Sequence, residues 1–269
     1  MSQLTPFYNT YRCTGAAAED AEDLVLLHGW GLHSIVWDDV MPALLETFRV
    51  TVIDLPGMGQ SPLPADEYSL DFINAHIEAV LPRKFHLLGW SLGGLVALAL
   101  AAKIPERIQT LVTVACSPKY VVADDWLPAM PAAILDKFSE IYAEDNEGTL
   151  IRFLALNAKG SMTMKEDVKK LKDILFFCGL PAPRALREGL GILRDTDLRN
   201  TLAALTIPTL MIFGEQDQIV PVAVAAEIEA RGYPVKISII KGVSHVPFIS
   251  APDIFTEALR EFWQGANVT

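Results

Sequence analysis

Phe85-His-Leu-Leu-Gly-Trp-Ser-Leu-Gly-Gly-Leu-Val-Ala-Leu-Ala-Leu-Ala-Ala102 decides the reading of this chain. It starts as an apolar run of buried-strand length and ends as an Ala/Leu-rich segment that favours helix. Between them lies Gly89-Trp90-Ser91-Leu92-Gly93, a G-x-S-x-G pentapeptide. Such a strand-to-helix turn strains the residue at its tip and lifts that side chain above the sheet. Glycine suits positions 89 and 93 because a Cβ at either would press on the neighbouring strand or helix. Ser91 then stands at a helix N-terminus, where free N–H groups favour developing negative charge. Taken alone, the pentapeptide also describes a glycine-rich turn with a surface serine. The strand before it and the helix after it favour a nucleophile.

Outward from this unit, other short strands alternate with helices. Leu24–Leu27 is a strand followed by His28-Gly29-Trp30-Gly31. Val50–Asp54 is another, followed by the breaker-rich Leu55-Pro-Gly-Met-Gly-Gln-Ser61. Ser69–Val80 reads as a helix with Ser69 or Asp71 near its N-cap, and Ile108–Ala115 as a strand. Alternation of this kind implies a mainly parallel sheet with helices on both faces. After Ser117-Pro118 the rhythm breaks. Segments 132–143, 148–158, 164–177 and 183–193 read as helices, and strands resume at 208–214 and 235–240. The expected organisation is a core of residues 1–118 and 207–269 with a helical cap at 119–206. Trp126, Met130, Phe138, Phe153, Leu154, Phe176 and Phe177 supply apolar material for the cap interior and, in part, for a substrate cleft.

Two later turns complete a chemical constellation. Asp217 follows the strand ending at Gly214, and His245 follows the strand ending at Ile240, so both fall at the sheet edge that carries Ser91. The chain order Ser, Asp, His is that of α/β-hydrolase triads and of no other triad fold. His245 is the expected general base for Ser91, and Asp217 the group that fixes its tautomer. The expected oxyanion donors are the backbone N–H groups of Leu92 and Trp30. Asp54 and His28 read as loop-fixing groups. The cap gathers cations at Arg152, Lys159, Lys165, Lys169, Lys170 and Lys172. Lys165 and Lys169 share a helix face; the run is either a solvated face or a docking patch.

Composition bounds the rest. A net charge of −11 argues against general affinity for nucleic acid. No apolar run reaches the roughly 20 residues that cross a bilayer, and the N-terminus lacks a signal-peptide core. The three cysteines, 13, 116 and 178, show no metal spacing and fit a reducing cytosol. A cytoplasmic monomer with no metal or cofactor is the expectation.

The motifs resemble the α/β-hydrolase superfamily and, within it, the pimeloyl-[acyl-carrier protein] methyl ester esterases of biotin synthesis. The similarity rests on segments 24–32, 54–57, 88–97, 105–107, 111–115, 152–156 and 245–250. Gly-Trp-Ser-Leu-Gly-Gly-Leu-Val and Arg-Phe-Leu-Ala-Leu are the most specific. The resemblance implies a carboxylesterase with the triad Ser91, Asp217 and His245. It implies substrate contacts at Trp30, Ser91, Leu92, Phe153, Leu154, Ala155, Leu156, Asn157 and His245. It also implies docking of an acyl-carrier protein through cap cations at Arg152, Lys165 and Lys169, with lysine at two places where the family has arginine. A fourth family arginine falls near Gly148, and Asn157 stands where glutamine is familiar. A broad esterase for short acyl esters, a perhydrolase on the same triad, and a binding module that keeps the fold are the competing readings. Epoxide-hydrolase and dehalogenase readings fail because those use aspartate where Ser91 stands.

Overall fold

The computed structural model describes residues 4–16 and 18–266. Among these residues seven strands form one sheet in the order β1-β3-β2-β4-β5-β6-β7. They are β1 (Tyr8–Tyr11), β2 (Asp23–Leu27), β3 (Arg49–Ile53), β4 (Phe85–Trp90), β5 (Ile108–Val114), β6 (Thr209–Gly214) and β7 (Lys236–Ile240). All neighbours pair in parallel except β1, which runs antiparallel to β3 at the edge. β4 and β6 are buried along their whole length, as central parallel strands covered on both faces must be.

The helices are α1 (Met41–Leu44), α2 (Leu70–Glu78), α3 (Leu92–Lys103), α4 (Ala132–Glu144), α5 (Asn146–Ala158), α6 (Met164–Phe177), α7 (Pro183–Asp195), α8 (Arg199–Ala203), α9 (Ala223–Ala230), α10 (Pro247–Ser250) and α11 (Pro252–Gly265). The Ser69 side chain caps α2, accepting the Phe72 N–H, so Ser69 and not Asp71 is the N-cap. The sequence Leu92–Lys103 is apolar all round, and α3 is accordingly buried against β4 and β5. Pro105–Arg107 follows it as a separate 3₁₀ turn.

Helices α4 to α7 fall between β5 and β6, where the rhythm of the sequence breaks. α5 packs between α4 and α6, and α4 also meets α7. A short bridge, Lys119–Asp197, joins the two ends of this block, and Val121–Met130 and Ala123–Trp126 pair within the segment that leads into α4. Its apolar residues divide differently from expectation. Phe153 and Leu154 are buried, but Phe176 is 47% and Phe177 74% exposed. These two end α6 beyond its last buried turn, Ile174–Leu175. Trp126 is buried under the guanidinium groups of Arg199 and Arg231, 5.7 and 5.2 Å from its ring. Its Nε1 donates to the Lys119 carbonyl at 2.9 Å. Among the described residues no helix is long and apolar enough to cross a membrane.

Candidate active site

Ser91 sits on the turn between β4 and α3 with φ 53° and ψ −115°, a region that costs a non-glycine residue about 1–3 kcal/mol. The turn is over-determined. Ser91 N–H donates to the Val114 carbonyl at 2.9 Å, and the Ser91 carbonyl accepts from Gly94 and Leu95. A Cβ on Gly89 would lie 2.2 Å from the Gly93 carbonyl oxygen, and one on Gly93 would lie 2.4 Å from that of His28. The elbow therefore needs both glycines, for close approach of backbone to backbone.

Asp217 and His245 arrive from the ends of β6 and β7. Asp217 Oδ1 accepts the N–H groups of Ile219 and Val220 at 2.7 and 2.9 Å. Its Oδ2 lies 2.7 Å from His245 Nδ1, and both side chains are fully buried. A carboxylate can only accept, so Nδ1 carries the proton and the Nε2 lone pair is free. His245 Nε2 is buried and has no hydrogen-bond partner among the described residues. Its ring lies 5.7 Å from that of Trp90, the neighbour of Ser91, and Trp90 Nε1 donates to the His245 carbonyl at 2.8 Å. The elbow and the histidine loop are thus tied together, while no hydrogen bond closes between Ser91 and His245.

The two expected oxyanion donors also sit at this edge. Neither Trp30 N–H nor Leu92 N–H donates to a backbone carbonyl outside its own element among the described residues. The Trp30 ring is buried, packs edge-on against Phe153 at 4.7 Å, and donates from Nε1 to the Leu186 carbonyl on α7 at 2.8 Å. It seams the sheet to the helices above and does not line the cavity.

The neighbouring groups act as loop anchors. Asp54 accepts the N–H groups of Ser34 and Gln60. His28 Nε2 accepts the Leu55 N–H at 2.8 Å, and Nδ1 then donates to the Gly29 carbonyl. Burial pushes the His28 pKa down to about 4, the Asp54 charge opposing it only in part.

Above Ser91 lies a narrow cavity of about 20 Å³ lined by Ser91, Tyr120, Met130, Phe138, Phe153, Leu156, Ile219 and further Leu and Ile side chains. Of the five consecutive residues expected to contact substrate, Phe153 and Leu156 line it; Leu154, Ala155 and Asn157 do not. Phe153 and Leu156 are three apart and share one face of α5, which five consecutive helical residues cannot all do. Asn157 has a different position. Its carbonyl accepts the His245 N–H at 3.0 Å while its Nδ2 donates to the Phe153 carbonyl at 2.7 Å. The histidine loop is bound to the helical block at two more points. Met162 N–H donates to Gly242 O, and Ser250 Oγ donates to the buried Asp167 carboxylate at 2.7 Å, which also takes Ser161 and Thr163 hydroxyls.

Comparison with known proteins assigns the scaffold. The sequence profile of the Alpha/beta hydrolase family matches residues 24–258. The chain belongs to the alpha/beta hydrolase family. Within it, the chain is 43% identical over 242 residues to the pimeloyl-[acyl-carrier protein] methyl ester esterase of Aeromonas hydrophila, covering 89% of this chain and 94% of that one. Identity to the enzyme of the same name from Edwardsiella ictaluri is 40% over 246 residues, covering 91% and 95%. Among solved structures, an esterase from Exiguobacterium antarcticum superposes with a TM-score of 0.85 at 22% identity, covering 96% of this chain and 95% of that one. A bromoperoxidase from Bacillus anthracis gives 0.84 at 24%, with the same coverage. At those identities the superpositions speak for the fold alone.

On the outer face of this hydrolase, α6 exposes Lys165 and Lys169. No ion pair engages either among the described residues, whereas Lys170 pairs with Asp39 and Arg152 with Asp145 at 3.4 Å. One residue at the site had no sequence signal of its own. Tyr120, just past β5, is 3% exposed and shares the cavity wall with Ser91.

Proposed function

We propose that this chain is a serine carboxylesterase that hydrolyses the methyl ester of a pimeloyl group held on an acyl-carrier protein. The observation that carries the chemistry is the buried Asp217–His245 pair, with its free Nε2 turned from Asp217, beside the strained Ser91. His245 Nε2 takes the Ser91 proton as Oγ attacks the ester carbonyl, and Asp217 stabilises the imidazolium. The oxyanion lies between the Trp30 and Leu92 N–H groups, each worth roughly 3–4 kcal/mol of barrier in such sites. Methanol leaves with the proton from His245. Water, activated by the same base, then clears the acyl-enzyme. Phe153, Leu156 and the other apolar walls are the surface offered to the methylene chain, and the narrow cavity between them widens to receive it.

The acyl group and carrier follow from the names of the relatives that match nearly end to end. Residues 119–206 act as the cap, and Arg152, Lys165 and Lys169 as the contact for an acidic carrier. The unpaired Cys13, Cys116 and Cys178 fit a cytoplasmic enzyme, which we read as a monomer. The test is turnover of carrier-bound pimeloyl methyl ester beside short p-nitrophenyl esters. A kcat/KM at least about tenfold higher on the carrier-bound substrate is expected; no preference would mark a broad carboxylesterase. Ser91→Ala should cost several orders of magnitude on both. Retained turnover would end the reading.

A further inference from the structure

Asp167 is a buried carboxylate for which the mechanism above has no role. It lies in the first turn of α6, where free N–H groups favour negative charge, and is 2% exposed. Burying a carboxylate is costly unless hydrogen bonds hold it. Here Oδ2 accepts three hydroxyls: Ser161 Oγ at 2.8 Å, Thr163 Oγ1 at 3.0 Å and Ser250 Oγ at 2.7 Å. Ser161 and Thr163 belong to the segment that leads into α6. Ser250 belongs to the histidine loop and ends α10. The Ile249 and Ser250 N–H groups both donate to the Val246 carbonyl at 3.0 Å, so Ser250 is tied to the residue next to His245. The helical block also holds this loop at Gly242, whose carbonyl accepts the Met162 N–H, and at His245, whose N–H donates to the Asn157 carbonyl, each at 3.0 Å. Those two bonds run from main chain to main chain. The bond between Ser250 and Asp167 is made by side chains, so replacing Ser250 removes it and leaves the other two.

We propose that Asp167 is a positioning residue that, through Ser250, sets where the His245 imidazole sits between Asp217 and Ser91. Asp167 touches neither substrate nor reacting atoms and gives up no proton. Its effect passes along the chain from Ser250 to His245. Asp217 fixes Nδ1 at 2.7 Å, but one bond to a ring leaves Nε2 free to swing if the backbone beneath it shifts. Nε2 has no partner in the resting site, so how nearly it meets Ser91 Oγ depends on the placement of the loop. Proton transfer needs the two heavy atoms within hydrogen-bond reach. A hydroxyl on a carboxylate makes a charge-assisted bond, short and about twice as strong as a neutral one. Such a bond suits a clamp. The demand for one comes from α5, which carries both the cavity walls Phe153 and Leu156 and the Asn157 carbonyl that holds His245. The helix that meets the acyl chain thus also holds the base, and the base must keep its place while the narrow cavity widens.

Two readouts test this. Turnover of p-nitrophenyl acetate rests on the serine-esterase reading. The low-field proton resonance of His245 Nδ1–H, on its bond to Asp217, does not. Ser250→Ala and Asp167→Ala should each lower kcat per folded enzyme about ten- to hundredfold, the usual cost of a small misplacement. Both half-reactions use His245, so acylation and deacylation slow together and KM stays within about twofold. In both variants the Nδ1–H resonance should broaden through faster exchange with water. Thr163→Ala removes a donor inside the helical block alone, and Asp167→Asn keeps an acceptor oxygen for Ser250. Both should stay within about threefold of the parent, with the resonance sharp. A Ser250→Ala enzyme with the parent kcat and a sharp resonance would overturn the proposal. A Thr163→Ala enzyme as slow as Ser250→Ala would overturn it too, because the carboxylate would then serve the fold of the helical block and not the base. Should Asp167→Ala prove too unstable to assay, Ser250→Ala and Thr163→Ala decide by themselves. If the parent shows no turnover that depends on Ser91, the serine-esterase reading has failed, and the resonance alone decides the clamp.

Discussion

Replacing Asp217 by Asn and by Ala should separate its two jobs. The carboxylate makes three short contacts: Oδ1 with the Ile219 and Val220 N–H groups, and Oδ2 with His245 Nδ1, at 2.7, 2.9 and 2.7 Å. In Asp217→Asn the amide oxygen can take the Oδ1 position and keep both backbone bonds. Its NH₂ then faces Nδ1, which must accept instead of donate. The ring proton moves to Nε2, and the base can no longer receive the Ser91 proton. In a serine-protease triad the same change costs about 10⁴ in kcat, equivalent to roughly 5 kcal/mol of barrier. Asp217→Ala leaves two backbone donors and an imidazole N–H without an acceptor in a buried site. At about 1–3 kcal/mol for each buried unmade bond, the two backbone donors alone cost roughly 2–6 kcal/mol of stability. The expected pattern is a comparable loss of kcat in both variants, with a large fall in the urea midpoint for the alanine variant only. The assay is p-nitrophenyl acetate turnover per folded enzyme, with urea unfolding followed by tryptophan fluorescence. An Asp217→Asn enzyme within tenfold of the parent would refute the assignment of Asp217.

Trp30→Phe should cost about 1–3 kcal/mol in urea unfolding, since the Leu186 carbonyl loses its indole donor, while acetate turnover stays within a few-fold because the proposed oxyanion donor is main chain. A collapse of kcat in a stable variant would show that the indole itself takes part. Acid should destabilise the fold through His28, whose folded pKa of about 4 lies below the 6.5 of the free group. Between those values the unfolded chain binds a proton that the folded chain refuses, so stability is whole above pH 6.5 and falls by about 3 kcal/mol towards pH 4. His28→Asn should show a shallower fall of the urea midpoint over that window; an identical slope would remove His28 as a cause. Asp167→Ala takes the shared acceptor from Ser161, Thr163 and Ser250. Hydrogen exchange should quicken around 161–167 and 247–250, and unchanged protection would show that the carboxylate fastens nothing. Lys165→Glu with Lys169→Glu should raise KM for carrier-bound substrate about tenfold at low salt and leave acetate turnover untouched, the effect fading at high salt. Equal loss on both substrates would place the lysines in folding, not docking.

What the sequence made legible follows from how each signal is written in it. The elbow is a local pattern: two glycines with no room for a Cβ, an apolar strand before them and an apolar helix after. Its reading holds in the geometry of Ser91. Asp217 and His245 were reachable because each follows a strand, and parallel strands deliver their following residues to one edge. The edge strand β1 left no mark. Tyr8–Tyr11 is exposed along its whole length, so no burial imposed alternation on it. Five consecutive residues of α5 were expected at substrate, and helical geometry admits Phe153 and Leu156 alone to the cavity. Phe176 and Phe177 looked like interior material because residue type says what tends to be buried, not where a helix stops meeting its neighbours.

Tyr120 was invisible for a deeper reason. Its relation to Ser91 has no spacing, period or motif, and arises only when the segment past β5 folds back over the sheet edge and is fixed by the Met130 N–H. Asn157 is similar in kind: the family resemblance implied a pocket residue there, while its carbonyl holds the His245 backbone. Both cases show the same division. The sheet presents reacting side chains in an order that the sequence spells out, strand by strand. The helical block closes on them through backbone carbonyls and single hydroxyls, whose partners lie tens of residues away. Residue patterns encode the first set directly, whereas the second exists only in the folded chain. A variant series confined to the motif residues would therefore reach the proposed triad and miss the Asn157 carbonyl and the Asp167 carboxylate that hold the histidine loop against the helical block.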